Sequence, residues 1–246
     1  MKIVFENPNP LENSIVPRRH AFTLVELLVV ISIIGVLAAL TIPLAGSVAR
    51  SRKISVAQAE MQQIETALEN YKAKYGVYPP GNPNNAVTNQ LYYELSGVTN
   101  TSTGRIADYQ TLDNRYNIPG GSFTLTFGGA GGIVNCSKGS GEDAVLAEDF
   151  LPGLKSTQVT SATNSEGNLV PYLVTSVGGP DLNYQPLPGG NPFRYACPGT
   201  NNPNSYDLWV QLSIGSTFNG VNHFVTPKKN LICNWNQQVL LNSPMP

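Results

Sequence analysis

One carboxylate stands alone in a long apolar run. Glu26 is the single charged side chain between Arg19 and Arg50. An ionised group at the centre of such a run costs roughly 2.5–3.5 kcal/mol in a bilayer, so it calls for a partner or a purpose. Few other residues can do chemistry. The chain has 3 Cys (Cys136, Cys197 and Cys233) and 2 His (His20 and His223). Cys197, Asp207 and His223 are the types needed for a thiol nucleophile with a base and an orienting carboxylate. No local signature accompanies them, and His223 reads as a hairpin-edge residue. No zinc-ligand spacing, nucleophile elbow or dinucleotide fingerprint occurs. The glycine-rich stretch 128–132 lacks the Gly-Lys-Ser/Thr of a phosphate loop. Lys228 and Lys229 read as a solvated turn. The chain is not read as an enzyme.

The elements that hold these residues follow from pattern. With 246 residues, net charge -1, 13% charged residues, 23 Gly and 19 Pro, the composition suits a loop-rich β domain better than a helical one. It gives no reason to expect a nucleic-acid partner. Residues 21–40 form an apolar run of membrane-spanning length, since about 20 helical residues cover about 30 Å. Arg18, Arg19 and His20 stand before it, and Arg50, Arg52 and Lys53 after it, so charge alone does not orient it. A secretory signal would put its small-residue site after the run, whereas here Ala21 precedes it. Pro43 predicts a kink or local melting. Ile54, Ala57, Met61, Ile64, Leu68, Tyr71 and Tyr75 then form an amphipathic stripe fit to dock on a sheet. Gly76 and Pro79-Pro80 end the helix. A short helix capped by Thr88 is expected over 88–95 and another over 142–150. The alternation in 122–127 predicts a strand, as do 172–177, 193–196, 206–212 and 239–241.

The stretch Arg18-Arg19-His20-Ala21-Phe22-Thr23-Leu24-Val25-Glu26-Leu27-Leu28-Val29-Val30-Ile31 resembles the processing signal of type IV prepilins and type II secretion prepseudopilins. The resemblance implies cleavage by a prepilin peptidase between Ala21 and Phe22, then methylation of the Phe22 amine. Ala21 stands where that family usually has Gly. Glu26 becomes the fifth residue of the mature chain, and its implied partner is the Phe22 amine of a neighbouring subunit. Gly190-Asn191-Pro192-Phe193-Arg194-Tyr195, Pro198-Gly199, Tyr206-Asp207-Leu208-Trp209 and Asn234-Trp235 resemble the major pseudopilin of type II secretion.

The implied fold is α+β and pilin-like, with a long N-terminal helix packed on a C-terminal antiparallel sheet. Its segments are a leader (1–21), a transmembrane and filament-core helix (22–46), the amphipathic half of that helix (47–78) and a periplasmic head (79–246). Within the head, 81–188 reads as an insertion and 189–246 as the β region. The implied role is a structural subunit of a secretion pseudopilus; the alternative is a surface pilin for adhesion, motility or DNA uptake. The implied partners are further copies of the chain, the peptidase, an inner-membrane assembly platform, minor pseudopilins and, before assembly, membrane lipid. No cofactor is expected. Relatives bind calcium in an acidic loop after the Tyr-Asp-Leu strand, but 213–223 contains no Asp or Glu, and calcium favours carboxylates among its ligands. A Cys197–Cys233 disulfide, formed in an oxidising periplasm, could restrain that loop instead. Cys136–Cys197, Cys136–Cys233 and three free thiols stand open beside it.

The mature protein is expected to begin at Phe22. Mass spectrometry of the filament fraction should find an N-terminal Phe carrying a methyl group. A mature terminus beyond residue 40 would mean ordinary signal-peptidase processing.

Overall fold

A computed structural model describes residues 23–102, 107–128, 132–138, 144–177, 190–218 and 225–241. The chain divides into two compact units, Met1–Ser47 and Val48–Pro246. Helix α1 is assigned over Leu24–Tyr75. Its backbone is helical through Pro43, so the melting expected there is not seen. A proline removes one amide donor, and the bonds on either side maintain the helix. In the second unit the amphipathic stripe does what its spacing predicts. Ala57, Met61, Ile64, Leu68 and Tyr71 are buried, and Ile54 and Tyr75 pack against the same core. Gly76 closes the helix at φ 77°, a left-handed value that glycine adopts without strain.

The stripe docks on an antiparallel sheet of order β10-β9-β8-β7. These strands are β7 (Arg194–Ala196), β8 (Asp207–Phe218), β9 (Val225–Cys233) and β10 (Asn236–Leu241). Alternation along β8 turns Leu208, Val210 and Leu212 toward α1, joined by Ile232 of β9. Trp209, Leu231 and Cys233 form a separate cluster with Trp235. The strands expected at 193–196, 206–212 and 239–241 are therefore present, but β8 runs on through Ser213–Phe218, where a loop was expected. The sequence reading also missed β9. Its Pro227 argues against a central strand, yet among the described residues β10 pairs with 230–233 of β9, and Pro227 pairs with Ser216 alone. A proline is tolerated on such an edge.

The described residues of the expected insertion form elements of their own. Its elements are α2 (Leu91–Ser96), β1 (Val98–Asn100), β2 (Asp108–Thr111), β3 (Asn117–Pro119), α3 (Gly120–Thr126), β4 (Cys136–Ser137), β5 (Val159–Thr163) and β6 (Leu169–Leu173). Strands β3-β2-β1-β4 form one sheet, and β5 and β6 form a hairpin. Three expectations are corrected here. Residues 122–127 are mostly helix, not strand. Phe123 and Phe127 sit one turn apart with ring centroids at 4.7 Å, both buried, while Leu125 is 73% exposed. The period-4 pair is used, and the period-2 alternation is not. The described part of 142–150 is extended, because the Asn135 side chain accepts from the Glu148 amide and donates to its carbonyl. The helix predicted over 88–95 runs over Leu91–Ser96, and Asn89 Oδ1, rather than Thr88, accepts the Leu91 amide.

A buried carboxylate joins these parts. Glu94 has no exposed surface. One oxygen accepts from Tyr71 Oη (2.9 Å) and the Asn135 amide (3.0 Å). The other accepts from Gln90 Nε2 (3.1 Å) and the Val134 amide (3.0 Å). Asn135 Nδ2 donates in return to the Glu94 carbonyl, and Tyr75 Oη donates to Asn135 Oδ1. Burial pushes the Glu94 carboxyl above its ordinary value, while the donors from Asn135, Val134, Tyr71 and Gln90 pull the other way. With the folded value raised, its stabilising contribution is complete below the unfolded value of 4.5 and is lost as pH rises through the folded one.

Glu94→Ala should destabilise the head by about 3 kcal/mol, because it strands buried donors. Glu94→Gln should cost less and should flatten the fall in stability above pH 4.5. Thermal melts of both variants between acid and neutral pH check this. Equal melting temperatures for Glu94→Ala and the parent would show that the hub is dispensable.

Candidate functional site

Glu26 sits in the first turn of α1, held by a residue that the sequence reading passed over. Its carboxylate accepts from the Thr23 amide and the Thr23 hydroxyl, both at 2.8 Å. The Glu26 amide donates back to Thr23 Oγ1 at 3.3 Å. This reciprocal pair is a capping box, which satisfies amides that a helix start leaves open. A negative charge at the positive end of the helix is also favourable. The signal was present as Thr23-x-x-Glu26, a Ser/Thr followed three residues later by Glu.

The surface around this carboxylate is apolar on every side. From Leu24 to Leu37 each large apolar side chain is 47–78% exposed. A helix that is greasy all round belongs inside something, either lipid or a bundle. Ser32 satisfies its own hydroxyl by donating to the Val29 carbonyl at 2.7 Å. Among the described residues no helix is long and apolar enough to cross a membrane. The expected span starts at Ala21 and Phe22, and these cleavage-site residues lie outside the described residues, as does His223.

Of the residues considered for a nucleophile centre, Cys197 and Asp207 are described and His223 is not. Burial raises the thiols of Cys136, Cys197 and Cys233 above their ordinary value, which keeps them from being good nucleophiles. The Asp207 carboxylate accepts from the Asn201 amide (2.8 Å), Asn201 Nδ2 (3.0 Å) and the Asn202 amide (3.0 Å), closing the turn before β8. A Cβ on Gly199 would lie 2.5 Å from Asp207 Oδ1, so only glycine allows this approach. Among the described residues no cluster of three or more His, Cys, Asp or Glu is placed to hold a metal.

The expected Cys197–Cys233 disulfide is corrected too. All three cysteines are free thiols. Arg194 of β7 pairs with Trp209 of β8, which pairs with Cys233 of β9, and Cys197 lies beyond the far end of β7. Two strand spacings alone put β7 and β9 about 10 Å apart, beyond the roughly 7 Å between Cα atoms that a bridge tolerates. Cys136 packs in a third location, the core of the insertion.

The prokaryotic N-terminal methylation motif matches residues 16–42. Type II secretion system core protein G of Pseudomonas aeruginosa is 39% identical over 62 residues, which are 25% of this chain and 44% of that protein. The chain thus matches less than half the length of that relative. No solved structure matches.

Thiol titration should find no free thiol reacting quickly in the folded protein and 3 reacting after denaturation without reductant. A single reactive thiol on unfolding would mean that a bridge forms after all.

Proposed function

We propose that this type IV pilin-like, pseudopilin-like protein is a structural subunit of a filament, built through its N-terminal helix, that serves a type II secretion pseudopilus. The observation that carries this reading is the one capped carboxylate, Glu26, in a helix otherwise apolar on every side. The methylation motif across residues 16–42 and the relative named for a type II secretion system support it. On this reading a prepilin peptidase removes residues 1–21 and the Phe22 amine is methylated. The helix rests in the inner membrane with its head in the periplasm. It then moves sideways into a bundle, which its uniformly apolar surface allows. In the filament interior Glu26 meets the Phe22 amine of a neighbour.

The capping box gives this pairing a physical basis. Thr23 already fixes the carboxylate at the helix start, so little side-chain freedom remains to be lost when the neighbour's amine arrives. An unpaired carboxylate in a dry bundle is strongly unfavourable. Subunits out of register are therefore penalised, as with a lone polar residue in a coiled-coil seam. The role is structural, with no catalytic step. A pilin-like arrangement of the head follows from the same reading, with the α1 stripe docked on the β7–β10 sheet. One observation favours a surface pilin instead: the insertion carries its own core, running from Val87 to Val174, and so could act as a display surface. Immunogold labelling separates the two, since a pseudopilus stays within the envelope.

Glu26→Gln and Glu26→Ala should both insert into membranes and both lose filament yield by about tenfold or more, the effect of losing about 1.4 kcal/mol of pairing. Gln can still accept in the capping box, whereas Ala cannot. Sedimented filament measured by immunoblot reads the result. If Glu26→Gln assembles like the parent, the cap alone matters and the charge does not set register.

A further inference from the structure

The docking stripe of α1 begins one turn earlier than its apolar residues suggest. Arg50 precedes Ile54 by four residues, so it lies on the face that continues through Ala57 and Met61. Its flanking residues Ala49, Ser51, Arg52 and Lys53 are exposed, while Arg50 is half-buried. Arg50 Nη2 donates to Asn230 Oδ1 at 2.8 Å, and Asn230 has no exposed surface. Asn230 stands at a defined place in the sheet. It pairs with Leu212 on one side and Leu241 on the other, the last position where β8, β9 and β10 run side by side. Among the described residues, α1 places no apolar side chain before Ile54 in the core cluster. Arg50 Nε is buried without a hydrogen-bond partner.

From these contacts we infer that Arg50 is a latch that sets where along α1 the head-packed helix begins. With the bond to Asn230 made, the turn from 48 to 54 is held on the sheet at β9. With it broken, the first firm anchor is the Ile54–Ala57 turn, and the preceding turn is free to open. The latch is poised to release. A guanidinium favours several hydrogen bonds, and the lack of one at buried Nε lowers the net gain from keeping the group docked. The inference rests on contacts within the head and stands whether or not the chain polymerises.

Hydrogen exchange on the full-length protein in detergent tests it. Arg50→Ala should speed amide exchange over residues 48–54 by about tenfold or more, as expected for losing a hydrogen bond to a charged group. Exchange from residue 57 to 75 and the melting temperature of the head should stay unchanged. Arg52→Ala removes the same charge from an exposed position and should leave 48–54 as protected as in the parent. Unchanged exchange over 48–54 in Arg50→Ala would overturn the latch. So would acceleration along the whole of α1, which would make Arg50 a general stabiliser, or an equal effect from Arg52→Ala, which would make it a matter of net charge.

Discussion

The head is organised around a carboxylate that has no cation. Glu94 is fully buried, and its partners are a tyrosine hydroxyl, a glutamine amide and two backbone amides. These come from three separate stretches: the end of α1, the start of α2 and the approach to β4. An interior of low polarity strengthens each bond and makes any vacancy expensive, so such a network is all or nothing. Asn135 extends it by using its side chain as a piece of strand, bonded to the backbone of both Glu94 and Glu148. Apolar packing alone would let these segments slide over one another. Directional bonds to a buried carboxyl group allow one arrangement.

Glu26 and Glu94 show how one side-chain type serves opposite ends of the chain. Glu94 has its donors inside its own fold, so it specifies tertiary structure. Among the described residues Glu26 bonds to Thr23, on an exposed helix start. Its carboxylate can accept further bonds, because an ionised carboxyl has about four lone-pair sites. What distinguishes the two is the surroundings. Glu94 is enclosed by polar backbone, whereas Glu26 is encircled by leucine, valine and isoleucine that need burial of their own.

Much of the α1 half was legible, because a helix stripe depends on spacing alone. The run from Ile54 to Tyr75 and the stop at Gly76 follow from period 3.6 and a left-handed C-terminus. The β7, β8 and β10 strands were legible in part, from alternation and turn residues. The insertion was not, for reasons visible in particular residues. Ser122-Phe123-Thr124-Leu125-Thr126-Phe127 fits both periods, and tertiary packing, including the Tyr93 ring that contacts both phenylalanines, selects the helix. Nothing local to 144–150 reveals that Asn135 will hold it extended. The Thr23–Glu26 box was written in the sequence and went unread, because Glu26 drew attention as a charge and not as a cap. Pairing of the cysteines depends on strand register, which spacing does not encode.

The six-residue helix α2 explains why the insertion is a built-in part of the head. Leu91, Tyr92, Tyr93, Glu94 and Leu95 are all buried, which is unusual for so short a helix and leaves it no solvent face. Leu91, Tyr92 and Leu95 enter the core made with α1 and the β7–β10 sheet. Tyr93 enters the other core, against Phe123 and Phe127. Glu94 ties the same helix to Tyr71 of α1. The two cores therefore share a wall one helix thick. Strain or loss of packing on the insertion side reaches the α1 stripe through Tyr92, Glu94 and Leu95, since neighbouring positions on α2 face different cores, and also through Phe150, Leu151 and Leu173, which pack in the same core as α1. Exposed positions on β1 to β3 and on the β5–β6 hairpin can vary the surface presented, whereas Val98, Ile118, Val170, Tyr172 and Leu173 on those same strands are core.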